Sequence, residues 1–454
     1  MPVKLTKRQV ADAGAIVRDW IGYRAVMNEV PGVSFGISYD GEAVLLGSWG
    51  CADLGTKRPA EPDTGYRVAS ITKTVTATLA LQLVERGKLR LDEPITRYLA
   101  WLKPSLGRSG VTVRHLLTHS SGLIRDGSCE WGDQEFLDRD ALRRDVSAQA
   151  SVAEPSVGFN YSNVAYALLG EIVEELSGRS FGSAVNRGVV RPLGLVATGT
   201  RLTPRLRSSL ATGYHHRRPG EPYRAAPVSE ARAFEPAAGL ISNVPDLLEY
   251  QQAHFPGDAR LLGELSKREM QRVQWQRGEE PHHGYGWMIW GVDGITVRGH
   301  AGGYPGFVTR IGFAPDLRVA AAVLTNTIGP LAELGLNAIF HTVGRVNALW
   351  DDAGAPPHGH SRTSLGRFAG QYRNDFGEQL VVRVNQSLYL ANPDDDRPMR
   401  LAARLSPLDD GTRFVICDNE DYGQRGGEIS FDLGPAGQAT VLHYGAQAMP
   451  CVEV

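Results

Sequence analysis

The sequence predicts an α+β fold: an antiparallel sheet flanked by helices, with a helical lobe inserted, followed by a small C-terminal antiparallel β-barrel. Two observations predict the first part. Strand patterns stand near both ends of residues 1–350, and a long, mainly helical stretch lies between them. A third observation predicts the barrel, because short β runs separated by turn-forming clusters fill residues 365–454.

The first elements are a helix and a hairpin. Apolar residues recur at helical spacing over residues 10–21, which predicts a helix. Residues 33–37 then alternate apolar with small or polar side chains, and Asp40-Gly41 offers a tight turn before residues 43–46 return. This pattern is typical of a β-hairpin.

The middle of the chain is mainly helical. Helical periodicity runs over residues 70–85, where Gly87 is placed to end the helix, and over 164–176, which ends near Gly178. A third helix is predicted over 244–255. Helices in this stretch would pack on the sheet and form the inserted lobe.

Strand patterns return near residue 285. Short strands are predicted over residues 287–291, 295–297, 307–314 and 318–325, and a helix over 331–349 closes the region. Strands from both ends of this region would then meet in one antiparallel sheet.

A change of composition marks the predicted domain boundary. Residues 351–364 are polar and contain Pro and Gly, as linkers do, so we expect one domain over 1–350 and a β-barrel domain over 365–454. The β runs of the second domain cover residues 379–384, 387–390, 413–417, 429–433 and 440–444.

Composition excludes several classes of function. Hydrophobic residues make up 42% of the chain and charged residues 22%, which suits a folded protein with a large core. Lys plus Arg number 48 and Asp plus Glu number 50, giving a net charge of −2. We therefore expect neither nucleic acid nor a membrane as partner. The oligomeric state stays open.

The sequence indicates neither a targeting segment nor a metal site. The first 20 residues hold no apolar run of signal-peptide length and no stretch suits a bilayer, so we expect a cytoplasmic protein. A chain trimmed of its signal would look the same. Four scattered cysteines, Cys51, Cys129, Cys417 and Cys451, form no CxxC pair, which predicts free thiols. The sequence also contains no HExxH motif, no P-loop and no cluster of metal ligands, so we expect no metal and no cofactor.

Ser70 and Lys73 form the first candidate catalytic pair. Three residues apart at the start of a predicted helix, they lie on one face, where an uncharged lysine can take the serine proton. The helix amino terminus also favours the negative charge that develops during attack. Ser-x-x-Lys occurs once in the chain, but two common residue types form it. An N-capping serine beside a solvated lysine is therefore the alternative interpretation.

Tyr161-Ser162-Asn163 stands immediately before the helix predicted from Val164. A phenol near an ammonium can shuttle protons, and an amide can hold the lysine or the substrate. A buried aromatic followed by an N-cap pair is the alternative. Tyr372-Arg373-Asn374 repeats the Tyr-x-Asn spacing beyond the linker, and we interpret that repeat as coincidence.

His300-Ala301-Gly302-Gly303 stands between two predicted strands. Glycines let a backbone approach a ligand closely, and strand amides can donate to an oxyanion. His300 could titrate or donate near the reacting group. A structural histidine at a strand end is the alternative.

The three motifs in this order resemble the β-lactamase-related serine hydrolases. That group includes class C β-lactamases, penicillin-binding DD-peptidases, D-aminopeptidases and β-lactamase-like esterases. The resemblance covers about residues 25–350, and these stretches carry it: 66–89 (YRVASITKTVTATLALQLVERGKL), 114–123 (RHLLTHSSGL), 161–163 (YSN) and 299–307 (GHAGGYPGF).

The resemblance implies an acyl-enzyme mechanism that acts on a small-molecule or peptide substrate. Ser70 would be the nucleophile, Lys73 its proton partner and Tyr161 the general base and acid. Asn163 would orient Lys73 and the substrate. The backbone amides of Ser70 and Gly303 would form the oxyanion hole.

His300 stands where many relatives carry the lysine of a Lys-Thr-Gly motif. Lysine supplies a fixed charge for a substrate carboxylate, and a mostly neutral histidine matches that group poorly. We therefore expect amide or peptide bonds of non-standard or D-residue-containing peptides as substrates, with simple esters next. Acyl transfer or peptide cyclisation by the same site, and a non-catalytic penicillin-binding receptor, are the alternatives.

Two Gly-x-Ser-x-Gly matches, at Ser34 and Ser180, lack the strand–turn–helix context of a nucleophile elbow, so we interpret both serines as structural. His115 and His119 are spaced i,i+4 and could share a helical face. No acidic third ligand is evident for them. We therefore predict that they pack beside the helix that carries Ser70.

The tail opens with residues 366–372 (GRFAGQY) and is similar to the lipocalin-like barrels attached to some D-aminopeptidase relatives. The similarity implies a module that gates the substrate or shapes the site. A ligand-carrying barrel is the alternative, but the predicted strands are short for a roomy interior.

Overall fold

The computed structural model describes residues 5–102, 110–131, 135–149, 151–218, 220–278, 280–350, 365–408, 411–418 and 425–452. The chain groups into two compact units. The larger is Val30–Glu333, and the other combines Met1–Glu29 with Leu334–Val454. The predicted linker at 351–364 lies outside the described residues, so the boundaries drawn on either side of it stay predictions.

The helices predicted over residues 10–21, 70–85, 164–176, 244–255 and 331–349 are confirmed, with ends shifted by a few residues. The α-helices are α1 Lys7–Met27, α2 Thr72–Glu85, α3 Val113–Leu117, α4 Arg139–Ala148, α5 Asn163–Ser177, α6 Phe181–Val185, α7 Arg191–Leu193, α8 Pro204–Ser209, α9 Glu235–Ala238, α10 Val244–Gln252, α11 Glu264–Gln271 and α12 Leu331–Leu349. Short helical turns add Ala69–Ile71, Ile95–Arg97, Ala100–Leu102, Asn186–Val190, Arg232–Phe234 and Gly366–Phe368.

An antiparallel sheet of eight strands forms the centre of the larger unit, in the order β3-β2-β1-β10-β9-β8-β7-β6. Its strands are β1 Gly32–Tyr39, β2 Glu42–Asp53, β3 Arg58–Pro59, β6 His282–His283, β7 Met288–Val292, β8 Ile295–Tyr304, β9 Phe307–Ala314 and β10 Val319–Thr325, while β4 Tyr66–Arg67 pairs separately with β5 Ile241–Ser242. Strand β1 pairs with β10, with Phe35 opposite Val323. Strands from both ends of the region therefore share one sheet, as the sequence predicts.

Helix α2 runs through the interior of the larger unit. Every residue from Thr72 to Leu83 is buried, threonines and Lys73 included. A helix buried all round presents no polar face to water, so its hydroxyl groups turn back to the backbone. Thr76 Oγ1, for example, donates to the Pro236 carbonyl oxygen at 2.6 Å. Lys73 of the site described below belongs to this buried helix, and Ser70 lies in the turn that leads into it.

The expectation that residues 300–303 stand between two strands is wrong. Strand β8 continues through them to Tyr304, with His300 opposite Ile311 and Gly302 opposite Thr309 of β9. Glycine weakens strand patterns in a sequence, and here the pairing with β9 overrides that weak local preference.

The smaller unit contains a second antiparallel sheet in which each strand pairs with the next along the chain. Its strands are β11 Gly370–Asn374, β12 Gly377–Val384, β13 Ser387–Ala391, β14 Ala403–Pro407, β15 Arg413–Asp418, β16 Glu428–Leu433, β17 Ala439–Tyr444 and β18 Gln447–Pro450. An antiparallel bridge between Tyr372 and Cys451 brings the first strand to the last, so the sheet is nearly closed into a barrel. The rings of Phe368, Phe414 and Phe431 fill its interior.

Tyr372-Arg373-Asn374 lies within β11. Tyr372 is fully buried in the barrel core, and its hydroxyl group donates to the Phe368 carbonyl oxygen at 2.8 Å. A buried phenol with one backbone partner is a packing residue, in agreement with our interpretation of this repeat as coincidence.

Three further findings concern the described part of the chain. Cys51, Cys129, Cys417 and Cys451 form no disulfide bond with one another. No group of three or more metal-binding side chains occurs among the described residues. None of the helices in the described ranges combines the length and the apolar character needed to cross a membrane.

Candidate active site

Ser70 lies in a short helical turn that leads into α2 and remains partly exposed. The residue before it, Ala69, has a φ of 47°, a left-handed conformation that costs a non-glycine residue energy. Thr72 secures this turn, because its Oγ1 donates to the Ala69 carbonyl oxygen at 2.5 Å and accepts from the Leu240 amide at 3.0 Å. Ser70 is therefore held in place by the backbone on both sides of it.

Lys73 lies one turn from Ser70 and has no exposed side-chain area. Its Nζ lies 3.0 Å from Ser70 Oγ, 2.6 Å from Asn163 Oδ1 and 2.9 Å from the Ala237 carbonyl oxygen. A solvated lysine beside a capping serine, which was the alternative interpretation, does not fit a side chain with these three partners.

Two hydrogen-bond acceptors occupy two of the three positions around Lys73 Nζ, and the third position faces Ser70. An amide oxygen and a carbonyl oxygen can only accept, so Asn163 and Ala237 each take one N–H. Burial lowers the pKa of Lys73 well below its usual range, and the charge of Asp126 opposes that shift. In the uncharged amine the third position is a lone pair, which can accept the Ser70 proton.

Tyr161 completes the polar group around Ser70. The centre of its ring lies 4.9 Å from Lys73 Nζ and 4.4 Å from the centre of the His119 ring. Burial raises the pKa of Tyr161, and a hydrogen bond with Ser70 opposes this. The neutral phenol is therefore favoured. With Lys73 shifted toward the free amine, the electrostatics favour Lys73 as the first proton acceptor and Tyr161 as a donor.

Asn163 opens helix α5, one residue earlier than the sequence predicts. Ser162 is the N-cap, since its Oγ accepts from the Ala165 amide at 2.9 Å. This capping points the Asn163 side chain toward Lys73, and its Nδ2 donates to Asp126 Oδ1 at 2.6 Å. Ser162 therefore caps the helix, and the Asn163 amide holds Lys73. The proton-shuttling role of Tyr161 stays a prediction.

His300 is buried beside the same group. Burial lowers its pKa well below the usual range, and the nearby Lys73 adds to that shift. Its Nδ1 lies 2.6 Å from the Ala301 carbonyl oxygen, so in the neutral ring Nδ1 carries the hydrogen. Nε2 is then an acceptor, buried and without a partner among the described residues. The ring provides no fixed positive charge.

Gly302 and Gly303 differ in their surroundings. A Cβ on Gly302 would lie 2.2 Å from the Val68 carbonyl oxygen, so β8 runs directly against the segment that leads to Ser70. A Cβ on Gly303 would meet no atom within 4 Å, and this glycine is exposed. Gly303 therefore borders open space at the end of β8.

The two serines of the Gly-x-Ser-x-Gly matches lie away from this group. Ser34 is buried within β1, and its Oγ donates to the Glu61 carbonyl oxygen at 2.7 Å. Ser180 is exposed and caps α6 by accepting from the Ser183 amide at 3.4 Å. Neither lies at a strand–turn–helix elbow.

His115 and His119 turn to different partners. His115 Nδ1 accepts from the Thr112 amide at 3.1 Å. His119 Nδ1 accepts from the Ser162 amide at 3.1 Å, and its ring packs on Tyr161. His119 is therefore a packing residue of this site, as the sequence indicates.

Two functional groups near Lys73 escaped the sequence analysis. Ala237 contributes only a backbone oxygen, which no side-chain pattern can reveal. Asp126 holds Asn163 and follows the 114–123 stretch by three residues, so an acidic residue just after that stretch is the signal that was available.

A family model described as Beta-lactamase matches residues 17–342. The chain belongs to the Beta-lactamase family. Curated relatives of this chain include Penicillin-binding protein 4 of Amycolatopsis lactamdurans, which is 29% identical over 77% of this chain and 95% of that protein. Esterase EstB of Burkholderia gladioli is 31% identical over 67% of this chain and 89% of that protein. The expected resemblance to β-lactamase-related proteins is therefore confirmed.

Solved structures show the same Beta-lactamase-family fold. The D-amino acid amidase of Ochrobactrum anthropi SV3 in complex with D-phenylalanine superimposes with a TM-score of 0.64 at 25% identity, over 75% of this chain and 99% of that one. The octameric penicillin-binding protein homologue of Pyrococcus abyssi gives 0.64 at 23% identity, over 95% and 98%. The second likeness shows the fold alone, over nearly the whole chain.

Proposed function

We propose that this protein is a serine hydrolase that forms an acyl-enzyme on Ser70. The environment of Lys73 carries the proposal. Two pure acceptors, Asn163 Oδ1 and the Ala237 carbonyl oxygen, occupy two N–H groups of a buried amine. The third position faces Ser70 Oγ at 3.0 Å. This arrangement supports removal of the serine proton at neutral pH.

The reaction proceeds in two steps. Ser70 attacks the carbonyl carbon as its proton passes to Lys73, and the amides of Ser70 and Gly303 receive the developing oxyanion. Tyr161 donates a proton to the leaving amine or alcohol. Water then attacks the acyl ester and gives its proton to the Tyr161 phenolate, while Lys73 returns the first proton to Ser70 Oγ as the ester bond breaks, so all three groups regain their starting states.

The substrates are amide or peptide bonds of D-residue-containing or other non-standard peptides. A neutral His300 offers no fixed charge for a carboxylate beyond the scissile bond, which disfavours penicillins and carboxy-terminal D-peptides. The likeness to the D-amino acid amidase of Ochrobactrum anthropi SV3 supports this substrate class.

Ester hydrolysis at the same site is the second candidate function. The 31% identity to Esterase EstB supports it, and esters require less activation of the leaving group than amides. Hydrolysis rates for matched D-phenylalanine amide, L-phenylalanine amide and phenylalanine methyl esters separate the two candidates. Turnover of esters with none of either amide would leave only the esterase function.

The test of the nucleophile is the intact mass of the protein after brief exposure to p-nitrophenyl acetate. We expect one acetyl adduct on the wild type, on the peptide that contains Ser70, and none on Ser70→Ala. Ser180→Ala is the matched control, because that serine is exposed and lies outside the site. We expect the Ser180→Ala protein to be acetylated like the wild type. An adduct that persists in Ser70→Ala would refute the proposal.

A further inference from the structure

Asp126 lies in a loop beside the site and receives three donors. Its Oδ1 accepts from Asn163 Nδ2 at 2.6 Å and from Trp131 Nε1 at 3.0 Å, and its Oδ2 accepts from Arg125 Nε at 3.0 Å. Its side chain is only 19% exposed. These contacts hold the carboxylate in one orientation.

The backbone of the same loop is fastened to the start of α5 independently of the Asp126 side chain. The Asn163 and Val164 amides donate to the Arg125 carbonyl oxygen at 2.9 and 3.1 Å. Ser162 Oγ donates to the Ile124 carbonyl oxygen at 2.7 Å. Removal of the Asp126 carboxylate should therefore leave the loop in place and change only what the carboxylate does.

The Asn163 amide could face Lys73 with its oxygen or with its nitrogen. A carboxylate only accepts, so Asp126 binds the NH2 group and turns the oxygen toward Lys73. With the amide reversed, its N–H would donate to the lone pair of the uncharged lysine. That lone pair would then point at Asn163 instead of Ser70, and the lysine would lose its ability to take the serine proton.

We propose that Asp126 is a positioning residue, which fixes the Asn163 amide with its oxygen toward Lys73 and so directs the lysine lone pair to Ser70. The inference rests on the proposed acyl-enzyme function of Ser70. It adds a residue that touches neither the substrate nor Ser70 and acts through Asn163.

The test compares Asp126→Ala with Asp126→Asn in steady-state hydrolysis of p-nitrophenyl acetate. Asp126→Ala loses the acceptor for Asn163 Nδ2, so kcat should fall by about 10²-fold while KM changes less than about threefold. Asp126→Asn still offers an oxygen to that nitrogen and should recover at least about tenfold of the loss. A general loss of structure would lower both variants alike and would show as a lower melting temperature.

Asp145→Asn is the matched control. Asp145 carries the same charge and anchors the same loop, since its Oδ2 accepts from the Ser128 amide and from Ser128 Oγ, both at 2.7 Å. The kcat of Asp145→Asn should stay within about twofold of the wild-type value. An equal loss in Asp145→Asn and Asp126→Ala would overturn the inference, because it would assign the effect to the loop.

Two further outcomes separate the inference from the proposed function. If wild-type protein is acylated at Ser70 and Asp126→Ala turns over within threefold of it, the positioning role is wrong and the function stands. If wild-type protein is not acylated at Ser70, the proposed function fails, and the inference fails with it.

Discussion

Lys73 is the residue at which activity and stability make opposite demands. A lysine with no exposed side-chain area loses its hydration, and that burial disfavours the charged form. A buried amine lowers the free energy of unfolding in a core made of apolar and threonine side chains, because it has lost its hydration. The same burial shifts Lys73 toward the free amine, and in the proposed reaction this shift is what would suit it to accept the Ser70 proton.

Lys73→Met should separate these two effects. Methionine fills a similar volume and removes the buried amine, but it leaves Asn163 Oδ1 and the Ala237 carbonyl oxygen without a donor. These two effects on the melting temperature oppose each other, so it should change by only a few degrees, while kcat falls by about 10³-fold for lack of the proton acceptor. Steady-state kinetics and thermal unfolding measure the two quantities. A variant that keeps more than a tenth of wild-type turnover would contradict the role of Lys73.

Lys267 offers a control for the loss of a buried lysine. It is also buried, and its Nζ donates to the Phe255 and Asp258 carbonyl oxygens at 2.7 and 2.6 Å. Lys267→Met leaves those acceptors without a donor and also removes an ion pair with Glu264 at 2.6 Å, so the melting temperature should fall further than in Lys73→Met while kcat is unchanged.

At the scale of elements, the close approach of β8 to the turn before α2 builds the site. The position of Gly302 against the Val68 carbonyl oxygen leaves no room for a side chain. Thr309 of β9 contacts the same Val68 carbonyl oxygen, to which its Oγ1 donates at 3.3 Å. Strand β8 can therefore lie against the Val68 carbonyl oxygen only because residue 302 has no Cβ.

Gly302→Ala should lower the free energy of unfolding by about 2 kcal/mol, because the new Cβ must displace backbone atoms. Gly303→Ala is the matched substitution one residue later, and the open space around it predicts a change below about 0.5 kcal/mol. Denaturant unfolding of the two variants measures the difference. Equal stabilities would show that β8 does not press on the Val68 segment.

At the scale of the whole molecule, buried neutral histidines make folding sensitive to acid. His254 packs among the rings of Tyr250, Trp287 and Phe313, and neither of its nitrogens has a partner in the described ranges. Burial lowers its pKa to about 3. Between that value and the ordinary 6.5, the unfolded chain binds a proton that the folded chain excludes, so stability falls as pH falls.

His254→Leu should remove one such contribution. Between pH 8 and pH 5 the wild type should lose about 2 kcal/mol more unfolding free energy than the variant, since the leucine takes up no proton. Denaturant unfolding at both pH values measures this. The pH 8 comparison accounts for any packing change. An equal loss of unfolding free energy in both proteins would mean that His254 takes up its proton over the same pH range in the folded chain as in the unfolded chain.

The sequence by itself determined the elements and motifs that depend on neighbours along the chain. Helix periodicity, the cap at Ser162 and the Ser70–Lys73 spacing are local, so they could be predicted before the structure was known. Strands β11, β14 and β18 were missed, because a strand of four or five residues carries a weak pattern and gains its stability from pairing. The His300 segment was misplaced for the same reason.

The tertiary structure alone decided which groups meet at Lys73 and in which direction burial shifts their pKa values. The Ala237 carbonyl oxygen has no signature in a sequence, and Asp126 reaches Asn163 only because the loop packs on the start of α5. The lowered pKa values of Lys73 and His300 follow from burial by segments far apart along the chain. Local sequence specifies which chemical groups are present, whereas desolvation depends on the whole fold, so the reactivity of these groups could not be predicted from sequence.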